Sequence, residues 1–453
     1  MKFIPVILWS DALVFVLLAA MLVSAWYIRQ REHLLLPWRR VAQSATAMVS
    51  LLVLSLFVIV GLLDTLHYRA ALPEKNGGDT VYTPDVLSVL DKLAGPLRTQ
   101  AEKTYSAPLA ITLYAKESIT VAPGKVVRDY PRLQYGGAHL VEPERDLAGD
   151  VARRAIFGAM AGMLAALLAS VAIVKFFPSV RKSSALRATF IAALLFAAFI
   201  GAIANLSVAY HVLGTDKVGQ DVLYLSLKSI RTGLIIGTVT TLVTLPLALL
   251  LGIAAGYFRG WVDDVIQYVY TVLSSIPSVL LIAAAVLMMQ VTIETHPQWF
   301  ETSASRADLR LVFLCVILGV TSWTGLCRLL RGETLKLREL EYIQAAQAFG
   351  VGHGRILSRH VLPNVMHVVL ISLVLDFSGL VLAEAVLSYV GVGVDPSMTS
   401  FGTMINAARL EMGREPMVWW SLAAAFVFMF VLVLAANLFA DAVRDAFDPR
   451  SSA

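Results

Sequence analysis

The chain predicts an all-α polytopic membrane protein, and three observations carry that expectation. Of its 453 residues, 58% are hydrophobic and only 15% are charged. Its mean hydropathy is +0.72, high for a globular chain. Apolar stretches of roughly 20 residues, the length that crosses a hydrocarbon core, recur about nine times. They lie near 4–27, 44–63, 155–177, 187–209, 231–255, 265–290, 310–330, 365–387 and 417–440.

The first stretch ends in Val23-Ser24-Ala25, which has the look of a cleavage site. It is long for a signal peptide and contains Asp11, so a retained helix is the better reading. Orientation follows from basic residues in short loops. Arg29, Arg31, Arg39 and Arg40 follow the first span, and Arg181, Lys182 and Arg187 lie between the third and fourth. Lys336, Arg338, Arg355 and Arg359 fall on the same side by counting, as does the C-terminal run from Arg444 to Arg450. That side is the cytoplasm, which leaves the N-terminus and residues 67–150 outside. Arg153 and Arg154 are exceptions on the outer side. Topology therefore accounts for the net charge of +5, and nothing points to nucleic acid.

Four parts are expected. Residues 1–66 hold two membrane helices, and 67–150 form a small α+β domain outside the membrane. Residues 151–183 supply a third helix and a cytoplasmic loop, and 184–453 hold a core of about six helices. The 67–150 segment carries most of the turn chemistry, at Asn76-Gly77-Gly78, Pro123-Gly124 and Gly136-Gly137. Thr83-Pro84-Asp85 predicts the cap and first turn of a helix running to Leu93. Residues 110–113 and 118–121 read as short strands. His67 and Tyr68 read as interfacial anchors where the second span ends. Cys315 and Cys327, twelve residues or about 18 Å of helix apart, read as small core residues.

In the core, Gly233 with Gly237 and Gly252 with Gly256 form small-x-x-x-small pairs suited to close packing. Pro246 and Pro277 read as kinks within spans. Residues 337–364 are a charged island that is nevertheless patterned. Leu340, Ile343 and Ala346 recur at helical spacing, and Ala345 and Ala346 keep that helix thin. Gly350 is a natural stop in the left-handed conformation, and Pro363 suits the first turn of the next helix. A short rigid helix at a membrane surface is a receiver for force from a soluble partner.

This segment resembles the EAA loop of binding-protein-dependent ABC transporter permeases. The matching positions are Gln344-Ala345-Ala346, Gly350, Ile356, Arg359-His360 and Leu362-Pro363, with Gln344 where the family has Glu. Leu213-Gly214-Thr215-Asp216, Gly219-Gln220-Asp221-Val222 and Arg231 resemble the oligopeptide/dipeptide-type members, as do Gly256 to Asp263 and Ile276-Pro277-Ser278. Glu384-Ala385, Leu387 to Gly393 and Val443 to Pro449 follow in the family's order. Residues 1–183 lie outside the resemblance.

The resemblance implies a type I importer core in the bacterial inner membrane, moving peptides or similar small solutes. It implies as partners two ATPase subunits, a homologous second permease and an extracytoplasmic solute-binding protein. It places coupling to ATP at a helix near 339–349, with Gln344, Ala345, Ala346, Gly350, Ile356, Leu362 and Pro363 as the coupling residues. The chain has no Gly-x-x-x-x-Gly-Lys-Ser/Thr loop, so ATP and Mg belong to partner subunits. No cofactor, metal or catalytic constellation is expected on this chain, which is therefore not itself an enzyme.

Asp376 and Glu384 lie in or near the eighth span, where a mid-bilayer carboxylate costs about 2.5–3.5 kcal/mol. Two turns apart, they are expected to share a face. They are the acids placed to meet a cationic solute in a cavity, or else to pair within the protein. Two other functional classes remain open. An ion-driven secondary transporter would show an inverted repeat, and none is evident. A membrane sensor would use the outer domain as its working part.

Overall fold

Apolar runs bounded by caps and prolines become long helices in the computed structural model, which describes residues 3–71, 82–122, 125–176, 184–300 and 302–447. The turns at Asn76-Gly77-Gly78 and Pro123-Gly124, the pair Arg181-Lys182 and the terminal Asp448-Pro449-Arg450 lie outside the described residues. The helices are α1 Trp9–Arg29, α2 Glu32–Val41, α3 Ala45–Thr65, α4 Val89–Leu93, α5 Gly95–Thr99, α6 Pro143–Phe176, α7 Ser184–Leu206 and α8 Val222–Phe258. They continue with α9 Gly260–Ser275, α10 Ser278–Thr295, α11 Ser303–Arg338, α12 Glu341–Ala348, α13 His353–Ile356, α14 Leu362–Val390, α15 Phe401–Glu411 and α16 Trp420–Phe447. The strands are β1 Phe3–Val6, β2 His67–Ala70, β3 Leu87–Ser88, β4 Glu117–Ala122 and β5 Lys125–Asp129. Among the described residues, nine helices are long and apolar enough to cross a membrane.

One compact unit comprises Met1–Ile7, Ala42–Thr232 and Thr399–Ala435. Within it β1, β2 and β3 form an antiparallel sheet with β2 in the middle. His67 and Tyr68 thus belong to a strand, and the Tyr68 ring meets Phe3 edge-on with centroids 6.1 Å apart. β4 and β5 form a hairpin. Residues 110–113 are not a strand; a single bridge joins Thr112 to Arg132. The helix expected from Thr83 begins only at Val89. There Ser88 caps it by accepting from the Asp91 N–H, while Asp91 accepts from the Ser88 N–H. That reciprocal pair outcompetes the Thr83-Pro84 signal.

Glycines bring α6 and α7 together: a Cβ at Gly158 would strike the Gly201 carbonyl, and one at Gly162 the Ala197 carbonyl. Lys228, near the start of α8, bonds Asp64 of α3 at 2.6 Å and Asp91 of α4 at 3.1 Å. Tyr224 donates to Asp91 and Ser88 to Asp64. These buried carboxylates have their charge met by one ammonium, which binds residues from outside the family resemblance to a core helix.

The other unit comprises Leu8–Val41, Gly233–Met398 and Ala436–Ala453. The first turn of α1 is tied to α11, because Ser10 donates both its N–H and its hydroxyl to Asp308. Asp11 is buried and accepts from the Leu8 N–H. Gly252 and Gly256 of α8 press on the Cys327 and Arg331 carbonyls of α11, and Gly237 meets the Phe377 ring of α14. Cys315 and Cys327 are fully buried in the two apolar clusters of this unit. Pro246 lies inside α8. Pro277 does not lie inside a helix: the stretch 265–290 is broken into α9 and α10, with Pro277 as the N-cap of the second. Its fixed φ and missing N–H end one helix and start another.

Candidate functional site

The segment expected to receive force is a helix braced from behind. In α12, Ile343 is fully buried and Ala346 packs against the same cluster, with Tyr257, Ile356, Val361 and Leu362. Leu340 is the N-cap rather than part of the apolar stripe and is 42% exposed. Gln344, Ala345 and Gly350 are exposed, and Phe349 is 88% exposed. The helix ends in a Schellman turn. The Val351 N–H bonds the Ala346 carbonyl, the Gly350 N–H bonds the Gln347 carbonyl, and Gly350 has φ +73°. No atom lies within 4 Å of a Cβ at Gly350, so conformation alone favours glycine there.

Tyr257, which the sequence did not single out, is the hub of this brace. Its carbonyl accepts from Arg338 at 2.6 Å, its ring oxygen lies 2.8 Å from His353 Nδ1, and Gln347 reaches that oxygen at 3.3 Å. Arg259, the next residue but one, pairs with Glu339 just before α12. Gln344 also reaches Glu339, through long contacts of 3.3 and 3.4 Å. Arg331 grips Asp263 with two hydrogen bonds of 2.6 and 2.8 Å and holds its carboxyl below the usual range. The only sequence signal for Tyr257 was its place in the family-like run from Gly256 to Asp263.

Between α13 and α14 the chain does not leave the helix. Residues Leu357–Val361 form a π-helical turn, and Pro363 sits in the first turn of α14. Proline cannot donate to the Arg359 carbonyl four residues back. The wider π turn absorbs that defect, and the Asn364 side chain donates to the His360 carbonyl at 2.6 Å.

The two acids of α14 are separated. Asp376 lines a cavity of about 220 Å³ with Thr241, Thr244, Ser322 and Gly379. Glu384 is not in that lining; it is 1% exposed and accepts from Ser388 at 2.6 Å. Eight residues overshoot two helical turns by about 80°, which is why the expected shared face fails.

A second constellation surrounds the segment between α7 and α8. Asp221 is the N-cap of α8, accepting from the Leu223 N–H, and its other oxygen lies 2.8 Å from His211 Nδ1. Glu102 accepts from the N–H groups of Gln134, Tyr135 and Gly136, and lies 3.5 Å from His211 Nε2. Burial opposes charge on His211, but the contact with Asp221 and the nearby Glu102 outweigh it and raise the pKa to about 9. Burial likewise opposes charge on Glu102, and its bonds to His211 and three backbone amides hold it at about 2. The Thr215 hydroxyl accepts from the Ser106 N–H and donates to the Thr104 carbonyl, and Trp420 donates to the Thr215 carbonyl. Gly219 has φ +76° and lies so close to Glu102 that a Cβ would overlap its carbonyl. An N-cap role for Asp221 was readable from its place before an apolar run; its pairing with His211 was not.

Residues 248–453 match the family described as binding-protein-dependent transport system inner membrane component. The oligopeptide transport system permease protein OppC of Mycobacterium tuberculosis is 34% identical over 241 residues, 53% of this chain and 76% of that protein. The chain belongs to this permease family. The glutathione transport system permease protein GsiD of Pectobacterium atrosepticum is 33% identical over 242 residues, 53% of this permease and 73% of that protein. The MetNI methionine ABC transporter, solved in inward-facing conformations, aligns with 50% of this permease and 98% of its own chain at 16% identity and a TM-score of 0.38. Family membership makes the chain a multi-pass inner-membrane permease that works in ATP-driven import.

Proposed function

We propose that this permease carries peptides or similar small solutes inward, paired with a homologous permease, two ATPase subunits and an extracytoplasmic solute-binding protein. The observation that carries the reading is the braced helix α12. Its inner face is locked by Ile343 and Tyr257, and its outer face offers Gln344, Ala345 and Phe349. An ATPase cleft closing on ATP and Mg would seize that face, and the rigid brace would pass the motion to α8, α11 and α14. Coupling of this kind needs two states that ATP distinguishes. Ile356 and Leu362 serve as backing, Gly350 ends the lever, and Pro363 with its π turn joins it to α14. The six-helix core from residue 184 is the type I importer part, and the C-terminus and α12 face the cytoplasm. Nothing in this chain would hydrolyse ATP.

The N-terminal module adds three helices and an outer domain at 67–150, with the N-terminus outside. That domain helps to dock the binding protein or braces the partner permease. It grips the same 213–221 segment that resembles the family, which supports an active share in transport. Uptake of a labelled peptide into proteoliposomes, driven by ATP and blocked by vanadate, tests the main reading. Full uptake after deletion of residues 72–148 would count against the module's role. Gradient-driven, vanadate-insensitive uptake would favour a secondary transporter instead.

A further inference from the structure

We infer that the cavity among α8, α11 and α14 recognises a protonated nitrogen on the transported solute, an ammonium or guanidinium group, with Asp376 as its counter-ion. The inference rests on the permease reading above and deepens it by naming the cargo's chemistry.

The polar groups lining the cavity are Thr241, Thr244, Ser322 and Asp376; the remaining lining is aliphatic, as at Leu245, Leu326 and Leu373, apart from Gly379. The Thr241 hydroxyl donates to the Gly237 carbonyl at 2.6 Å, and the Thr244 hydroxyl donates to the Thr240 carbonyl at 3.0 Å. Their protons are committed to the backbone of α8, so toward the cavity they offer lone pairs. Asp376 adds a carboxylate that has no hydrogen-bond or ion-pair partner among the described residues. Among the described residues, no Lys, Arg or His stands in the lining. Ser322 adds a hydroxyl that can donate or accept, so the site presents mostly acceptors and one negative charge to whatever enters, and a ligand that brings donors and positive charge completes it.

Glu384, on the same helix, shows the contrast. It is buried and bonded to Ser388, which makes it a structural acid. Asp376 faces open volume instead. At about 220 Å³ the cavity holds roughly seven waters' worth of space, enough for a side chain or a chain terminus but not a whole peptide. Gly379 keeps one wall open, since nothing lies within 4 Å of a Cβ there.

The test is ATP-driven uptake of trilysine and of triglutamate by the purified complex in proteoliposomes. Asp376→Asn should lower the ratio of trilysine to triglutamate uptake at least about tenfold, because a close charge pair is worth several such factors out of bulk water. Asp376→Glu should keep the ratio. Gly379→Leu, which fills the cavity, should slow trilysine entry while the complex still assembles. An unchanged ratio in Asp376→Asn, or wild-type rates in Gly379→Leu, would overturn the inference. So would an effect of Asp376 that tracks Na⁺ concentration rather than peptide charge. A wild-type complex that moves neither peptide on ATP would fail the permease reading instead, which keeps the two failures apart.

Discussion

The segment from Leu337 to Asn364 carries its own start, stripe and stop signals, with Tyr257 bracing it from behind, whereas the segment from Tyr210 to Val222 takes its shape from Glu102, Thr104 and Ser106, far away in the chain. Both resemble the same family. In the first, a glycine stop, a helical apolar stripe and a proline lie within one short stretch, and the structure builds α12 and its Schellman turn from them. In the second, the motif residues are completed by Glu102, Thr104 and Ser106, which the resemblance does not cover. Local motifs can be read from a sequence; a socket supplied from elsewhere cannot.

Substitutions and a pH profile probe that contrast, beginning with the largest expected effect. Gly219→Leu places a side chain into the Glu102 carbonyl and forbids the observed φ. It should destabilise the unit containing the 67–150 residues by about 3 kcal/mol or more, read as a lower thermal midpoint and faster proteolysis near Glu102. A wild-type midpoint would show that the Glu102 region does not hold this segment. Ala346→Trp should overpack the cluster around Ile343 and cost about 1–3 kcal/mol. Ala345→Trp, on the exposed face, should leave the midpoint unchanged yet abolish ATP-driven uptake; equal effects of the two on stability would dissolve the inner and outer faces assigned here.

Much of the fold was legible for the same reason that α12 was. Long apolar runs identify spans, because lipid leaves the backbone few alternatives to helix. The break at Pro277 was misread as a kink, since proline's effect depends on whether neighbours re-satisfy the freed groups. The sheet of β1 and β2 went unseen because Phe3 and Ala70 pair although they lie far apart in the chain, with no local turn signal between them. The start of α4 was misplaced because Ser88 and Asp91 make a stronger cap than Thr83. Of the candidate site, the residues proposed for coupling stand in a motif that the sequence shows, whereas Tyr257 was not singled out, since its place in the brace lies in three contacts with distant residues. Asp376 was found as an acid out of place, and its separation from Glu384 follows from helical rotation.

Smaller effects sharpen the comparison further. Tyr257→Phe removes the contacts to His353 and Gln347 and should cost about 1 kcal/mol, with ATP hydrolysis continuing while uptake falls. A variant with normal uptake would show that α12 needs no brace. The pH profile should be asymmetric. His211 is raised from 6.5 to about 9, so its stabilisation is complete below pH 6.5 and is lost as pH climbs through 9. Glu102 is lowered from 4.5 to about 2, so its stabilisation is present above pH 4.5 and is lost as pH falls through 2. The midpoint of this unit should therefore peak between pH 4.5 and 6.5, and His211→Gln should flatten the alkaline limb. A limb that persists in the variant would assign the titration to another group.

The central claim is that α12 is where a separate ATPase grips this permease. The direct measurement is gentle purification of the tagged full-length chain from its native host, with co-purifying proteins quantified for wild type and for Ala345→Trp. The account predicts a P-loop ATPase and a second permease at fixed stoichiometry with wild type, and loss of the ATPase alone with the variant. A wild-type chain that purifies without any nucleotide-binding partner, or a variant that retains the ATPase in full, would contradict it.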